Sequence, residues 1–406
     1  MHAEGVPLSA IATQFGTPCY VYSKAALVTA YQDFDHAFSG CDHLICYAMK
    51  ANSSLAILNL FAKLGAGFDI VSGGELARVQ AAGGDMAKVV FSGVGKSVAE
   101  IHAALNAGIK CFNVESSSEL ERINRVAGDL KKIALISFRV NPNVDAKTHP
   151  YISTGLRDNK FGVAYEDALP LYRKARAMPN VKIKGIDYHI GSTVNDIAPL
   201  AEAFEKVLDL VDKLEADGIA ISHIDIGGGI GIRYKDETPP GIAEYARLLL
   251  KLMGPRRHTI LMEPGRALVG SAGVLLTRVE YLKHQESRNF AIVDAAMNDL
   301  IRPSLYQAYH EIVATKFSNA AKQTYDIVGP ICESADFLGH GRAMALQEGD
   351  LLAVMAAGAY ASSMSSNYNS RTRAAEVIVD GETAHLAAKR ESFPQLYARE
   401  SLLPDA

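Results

Sequence analysis

Apolar and polar positions along the middle of the chain repeat one phrase three times. FDIVSGGELARVQAAG, VFSGVGKSVAEIHAALNAG and FNVESSSELERINRVAG each run from an apolar strand through Ser-x-x-Glu into a helix-periodic stretch that closes on glycine. The serines are Ser72, Ser97 and Ser116, and the glutamates are Glu75, Glu100 and Glu119. Ser-x-x-Glu ahead of an apolar-periodic run predicts a capping box, in which two side chains satisfy orphan amides at a helix start. The closing Gly83, Gly108 and Gly128 predict left-handed helix stops. The pattern therefore predicts three consecutive strand–helix units, spaced too tightly to be separate domains.

Short apolar strands are predicted at 44–49, 67–71, 88–92, 110–114, 133–140, 183–189, 222–226 and 259–263, with helical patterns between them. The clearest helix has Leu200, Phe204, Val207, Leu208, Val211 and Leu214 on one stripe and ends at Gly218. Strand–helix units in this number match a (β/α)8 barrel, with an open doubly wound sheet as the rival, because a strand count does not establish closure. After residue 265 the texture changes. Val274–Tyr281, Phe290–Asp294, Tyr325–Val328, Leu351–Met355 and Ala375–Val379 are strand-like, which predicts a mostly antiparallel β domain. TPCYVYS (17–23) is strand-like too and is placed with that domain. The expected division is 25–265 for the barrel, and 1–24 with 266–406 for a β-sandwich or β-barrel domain.

Composition narrows the classes. A chain of 406 residues is long enough for two to three domains, and hydrophobics at 49% with charged residues at 21% are ordinary globular values. The net charge is −4 and no run of like charge stands out, which argues against nucleic acid and anionic membrane as partners. The apolar stretch Leu351–Ala361 falls short of the roughly 20 residues a bilayer span needs. The N-terminal MHAEGVPLSAIATQFG lacks the basic start and apolar core of a signal peptide. Five cysteines without a C-x-x-C pair fit free thiols in a reducing cytoplasm, and neither a zinc ribbon nor a disulfide scaffold.

In a barrel, chemistry sits at the C-terminal strand ends. There the chain offers Lys50, Asp69, His189 with Ser192, the DIGGGIG turn (225–231), and Glu263-Pro264-Gly265-Arg266. A lysine after a buried strand is either a snorkelling surface residue or a Schiff-base amine, and alone it does not decide. Two motifs mislead. Gly93-Val94-Gly95-Lys96-Ser97 resembles a phosphate-binding P-loop, but the required first glycine is Val90, and a turn with a helix cap accounts for it better. Gly227-Gly228-Gly229-Ile230-Gly231 fails the dinucleotide pattern, because its last position is Ile232. What remains is a glycine-rich turn whose bare amides suit a phosphate, after the seventh strand, where barrels commonly bind one.

This set of a lysine after the first strand, a phosphate cradle after the seventh and a carboxylate after the eighth resembles the fold-type III pyridoxal-phosphate-dependent decarboxylases. The likeness is nearest to the family acting on diaminopimelate. It is carried by YAMKAN (47–52), FDIVSGGEL (68–76), HIGS (189–192), DIGGGIG (225–231), EPGR (263–266), IRPSLY (301–306), GPICESAD (329–336) and GAYASSMSSNYN (358–369), in the family's order. The resemblance implies an alanine-racemase-like (β/α)8 TIM barrel plus a mostly antiparallel C-terminal β domain. It also implies decarboxylation of meso-2,6-diaminopimelate to L-lysine and carbon dioxide, the last step of lysine biosynthesis, with pyridoxal 5'-phosphate as cofactor and no metal.

The resemblance also assigns roles. Lys50 holds the cofactor as an internal aldimine, with Asp69 among the cofactor contacts. Glu263 faces the ring nitrogen and His189 stacks on the ring. Ser192, Gly227, Gly228, Gly229, Gly265, Arg266 and Tyr360 hold the phosphate. Cys332 is the proton donor; its position after Gly329-Pro330 is turn-like and suits an exposed thiol. Arg266 and Arg302 grip the substrate's far carboxylate, Glu333 meets the far ammonium, and Tyr306 and Tyr360 add hydroxyls. THPYISTGLRDNKFG (148–162) resembles the family's specificity helix. The implied assembly is a homodimer with shared active sites.

Three other readings stand beside this one. A related decarboxylase acting on ornithine, arginine or carboxynorspermidine has no use for paired arginines. A non-catalytic homologue sits poorly with intact Lys50 and Cys332. A metal-dependent barrel hydrolase needs converging ligands, and His189 and Asp225 lack an evident third partner.

Overall fold

The computed structural model describes residues 1–145 and 160–404. The chain forms two compact units, one of Val28–Arg233 with Glu237–Leu268 and one of Met1–Leu27, Tyr234–Asp236 and Val269–Ala406.

In the first unit eight parallel strands run in order: β1 (His43–Ala48), β2 (Gly67–Ile70), β3 (Val89–Phe91), β4 (Cys111–Val114), β5 (Ala134–Asn141), β6 (Val181–Asp187), β7 (His223–Asp225) and β8 (Thr259–Met262). Each pairs with the next, and β8 pairs back onto β1 through Ile260↔His43, Leu261↔Leu44 and Met262↔Ile45. The sheet is closed. That pairing excludes the open doubly wound alternative and gives the TIM-like barrel. Cys46, Val90, Cys111 and Leu261, from four of the strands, form a packed apolar cluster, so the bore is a core and not a pore.

The repeated phrase builds its helices almost as predicted. Ser72, Ser97 and Ser116 each accept a hydrogen bond from the amide three residues on, at the starts of helices Gly73–Ala81, Val98–Ala107 and Ser117–Asp129. Among these three, only Ser97 with Glu100 forms the reciprocal box. Glu75 instead caps the amide of Val71, and Glu119 that of Glu115, one residue further out. Gly108 is a left-handed stop with φ 72° and ψ 45°. Gly128 is not: the helix continues to Asp129, and Lys131 takes the positive φ, 54°. Gly128 answers to packing, because a Cβ there would lie 2.6 Å from the Asn180 side-chain amide. The apolar stripe at 200–214 lies on helix Ile197–Ala216, as predicted.

The false P-loop proves structural. The Lys96 ammonium is buried, donates to the carbonyls of Gly93 and Asn113, and pairs with the Glu119 carboxylate at 2.7 Å. It ties the second repeat to the third.

The other unit is a mixed, mostly antiparallel sheet. Strand Cys19–Ser23 pairs antiparallel with Gly273–Lys283 and parallel with Ala375–Asp380, so the N-terminal strand joins the C-terminal domain as expected. Gly273–Lys283 also carries Asn289–Val293 and Leu351–Val354. Ile312–Ala314, Phe337–Met344 and Thr383–Ala388 escaped sequence reading. The last two end the sheet path, where FLGHGRAM and TAHLAA lack apolar alternation and TAHLAA has no buried residue. Leu8, Ile11, Val21, Leu276, Val377 and Val379 pack this unit's core. No helix among the described residues is long and apolar enough to cross a membrane.

Lys96→Met strands the Glu119 carboxylate in a buried position, so chemical denaturation is expected to register a loss of about 3–5 kcal/mol. Phosphate affinity should not change.

Candidate active site

Barrel register sets the site. Across β5, β6 and β7, Arg139 is level with Asp187 and Asp187 with Asp225. Asp225 is level with Leu261, an inward residue of the apolar cluster, and Glu263 lies two positions further on the same face. Below this layer Asn113 is level with Ser137. One polar tier thus sits on another, and Cys111 of the apolar cluster lies two positions before Asn113 on the same face.

Lys50 follows β1 in a short 3-10 turn, Met49–Ala51. Its ammonium donates to Oδ2 of Asp69, which sits in β2 and is fully buried, while Asp69 Oδ1 has no hydrogen-bond partner. The amine is thereby placed at the mouth, its side chain 41% exposed. Arg139 pairs with Glu115 at 3.5 Å, and Glu115 also accepts the Gly162 amide. Glu263 accepts hydrogen bonds from the Ser92 hydroxyl at 3.2 Å and the Asn113 amide at 3.3 Å. Burial raises the Glu263 carboxyl to about 7, reinforced by Asp69 and opposed by Lys50 and Arg139.

His189 follows β6. Its Nδ1 accepts the Gly228 amide at 3.2 Å, which puts the ring's other proton on Nε2 if the imidazole is neutral. Burial, with the Arg139 and Lys50 charges, holds it well below the usual imidazole range, so it is neutral. The Gly227–Gly229 turn requires glycine: a Cβ at Gly228 would lie 2.3 Å from the Glu263 carbonyl, and Gly229 has φ 106° with a Cβ position 2.3 Å from the Gly191 carbonyl. Ser192 is half-buried in the turn after His189, and Gly265 and Arg266 lie where helix Arg266–Val269 begins.

The remaining predicted residues belong to the β unit. Arg302 and Tyr306 are the first and last residues of the short helix Arg302–Tyr306. The buried Arg302 guanidinium donates to His310 Nε2 at 2.7 Å and lies 4.5 Å from the Tyr234 ring centre. His310 Nδ1 donates to the Met355 carbonyl, so both of its nitrogens are committed with the imidazole neutral. The two neighbours orient the guanidinium without cancelling its charge. Cys332 is exposed, and its amide donates to the Asn369 side chain at 3.1 Å. Glu333 accepts the Tyr368 hydroxyl at 2.5 Å. Tyr360 is half-buried with φ 53°. Of the segment 148–162, positions 148–159 lie outside the described residues.

Sequence reasoning missed Ser92, Asn113, Ser137, Arg139 and Asp187 in the barrel, and Tyr234, His310 and Tyr368 in the β unit. The barrel residues carried a usable signal: polar side chains in or just after otherwise apolar strands. The others carried none, because they act by three-dimensional neighbourhood alone.

The barrel set fits pyridoxal phosphate. It has an amine oriented by a buried carboxylate, a turn where backbone replaces side chains, a flat neutral imidazole, and a buried carboxylate for a ring nitrogen.

The chain matches the family described as pyridoxal-dependent decarboxylase, pyridoxal binding domain, over residues 24–270. It is 58% identical to a diaminopimelate decarboxylase of Neisseria meningitidis, over 98% of both chains. It is 57% identical to one of Vibrio cholerae, over 99% of this chain and 97% of that protein. The crystal structure of diaminopimelate decarboxylase from Helicobacter pylori complexed with L-lysine superposes with a TM-score of 0.94 at 42% identity, covering 97% of this chain and 99% of that one.

Burial of Glu263 has a measurable consequence. Between its ordinary 4.5 and about 7, the folded chain keeps a proton that the unfolded chain has released, so stability falls as pH rises through that window. Above about 7 the penalty is complete, at roughly 3 kcal/mol. Glu263→Gln in the cofactor-free protein is expected to remove this step, seen as a shrinking wild-type deficit when both are unfolded in urea from pH 8 down to pH 5.

Proposed function

The chain belongs to the pyridoxal-dependent decarboxylases, and within them to the diaminopimelate decarboxylases, and from that premise we propose that it converts meso-2,6-diaminopimelate to L-lysine and carbon dioxide through the residues named below. The observation that carries the reading is the convergence, within the barrel unit, of the Lys50–Asp69 pair, the glycine turn and the buried Glu263.

When bound, pyridoxal phosphate supplies an electron sink for the carbon that loses its carboxylate. Lys50 Nζ is the attachment point, and Asp69 Oδ2 orients it. Glu263 holds a proton on the ring nitrogen, and that proton keeps the sink effective. Ser92 and Asn113 aim the Glu263 carboxylate by hydrogen bonding to one of its oxygens. His189 covers the ring face as a neutral, flat group. Ser192, Gly227, Gly228, Gly229, Gly265 and Arg266 hold the phosphate, with Tyr360. Cys332 Sγ delivers the proton that replaces the departing carboxylate.

Substrate selection falls to the far end of diaminopimelate, which carries a second carboxylate and a second ammonium. Arg302, pre-oriented by His310 and Tyr234, offers a planar fork for the carboxylate. Arg266 adds a second cation, and Tyr306 and Tyr360 add hydroxyls. Glu333 meets the ammonium. The Tyr368 hydroxyl donates to the Glu333 carboxylate and orients it.

We assign residues 25–265 to the cofactor-binding barrel domain, and 1–24 with 266–406 to the β domain. Five free cysteines suit a reducing cytoplasm. We further propose a homodimer in which each site takes Lys50 from one chain and Cys332 with Glu333 from its partner. In support, Lys50 and Cys332 lie in separate compact units.

The test mixes two inactive variants, Lys50→Ala and Cys332→Ala, under conditions of subunit exchange. Random exchange makes half the dimers mixed, and each mixed dimer has one complete site. Carbon dioxide release should return to about a quarter of wild type. Continued inactivity, with exchange verified by mass, would place both residues in one chain.

A further inference from the structure

Among the described residues, three carboxylates in the bore form no ion pair. Asp187, Asp225 and Glu263 bring oxygens within 4.8 Å of one another, and all three are buried. The two nearby cations are committed elsewhere: Lys50 pairs with Asp69, and Arg139 with Glu115. Among the described residues, no lysine, arginine or histidine lies within ion-pair distance of the three. Their hydrogen bonds are also unequal. Glu263 accepts from Ser92 and Asn113, and Asp225 Oδ1 accepts the Gly227 amide. Asp187 Oδ1 and Asp225 Oδ2 have no partner.

Three ionised carboxylates in this arrangement would repel one another strongly in a poorly screened interior. Two buried oxygens without a hydrogen-bond partner on register-paired residues suit neutral carboxylic acids better than ionised carboxylates, which need donors. The protons belong on the pair whose acceptors are empty, and the charge belongs on the carboxylate that is already hydrogen-bonded. We propose that Asp187 and Asp225 are positioning residues that both stay protonated through mildly alkaline pH, so that negative charge in this cluster is concentrated on Glu263. The proposal rests on the assignment of Glu263 to the cofactor's ring nitrogen. It adds why a carboxylate so buried can be ionised there at all: its two nearest like-charged neighbours are neutralised first. Burial, then Glu263, pushes the Asp187 and Asp225 carboxyls well above the usual range, which agrees. Other titratable groups acting on the pair include Asp69, Glu115 and Arg139, the buried Cys46 and Cys111 thiols, and the buried Tyr172, Tyr188 and Tyr245 hydroxyls.

The test is infrared spectroscopy of the full-length protein, with pyridoxal phosphate bound and after its removal, following the carbonyl band of protonated carboxylic acids from pH 5 to 9. At pH 9, where Glu263 is ionised, wild type and Glu263→Gln should both keep a buried carboxylic-acid band. The double variant Asp187→Asn/Asp225→Asn should lose it. The second readout is the pH at which the Glu263 band itself disappears. Asparagine replaces a protonated aspartic acid without changing charge, so Asp225→Asn should leave that midpoint within about 0.3 unit of wild type. Were Asp225 ionised, its removal at this range would lower the midpoint by on the order of two units. No band at pH 9 in wild type, a band surviving in the double variant, or a midpoint drop above about one unit would each overturn the proposal. The cofactor-free arm answers even if the chain binds no pyridoxal phosphate, so the two readings fail separately.

Discussion

Pairing of β8 back onto β1 makes eight strand ends share one small interior, and the carboxylates Asp69, Asp187, Asp225 and Glu263 on them have almost no contact with water. In an open sheet Asp69, Asp187, Asp225 and Glu263 would lie along a crevice with solvent to screen them. Closure forces each to find a partner, keep a proton or carry a desolvated charge. The chemistry proposed for this chain follows from how that constraint is met.

It is met in layers. Cys46, Val90, Cys111 and Leu261 pack an apolar cluster in the bore, and above Cys111 a neutral polar tier of Asn113 and Ser137 leads to the charged residues at the strand ends. Within that charged tier Lys50 and Arg139 each take one carboxylate, and Glu263 is left with hydrogen bonds from Ser92 and Asn113 and, among the described residues, no ion pair. That is a suitable environment for a protonated ring nitrogen, which would supply the missing positive charge. The same low dielectric keeps His189 neutral and therefore able to lie flat on an aromatic ring. In the β unit Arg302 is oriented by the neutral His310 and the Tyr234 ring.

Much of this was legible in the sequence because local physics wrote it. Ser-x-x-Glu and the apolar runs located the barrel strands to within a residue or two, and the order of strand-end residues located Lys50, His189 and Glu263. Closure was not legible, since nothing local distinguishes β8 pairing with β1 from β8 at an edge. Gly128 misled because a glycine required by the nearness of Asn180 looks the same as one required by backbone handedness. Lys96 could be separated from a phosphate ligand by the missing glycine, but its ion pair with Glu119 joins two repeats and is written in neither. The search for metal ligands found His189 and Asp225 without a third partner. The structure instead gathers Asp187, Asp225 and Glu263, a set that only strand register could reveal.

The account stands most directly on what the loaded protein does to a choice of amino acids. Released carbon dioxide should be measured with meso-diaminopimelate, its other isomers, ornithine, arginine and lysine, each offered separately at equal concentration. The account predicts carbon dioxide and lysine in equal amounts from meso-diaminopimelate, and no comparable release from substrates that lack the far carboxylate. A specificity constant for ornithine, arginine or lysine equal to or above that for meso-diaminopimelate, or no release from any of them, would contradict it.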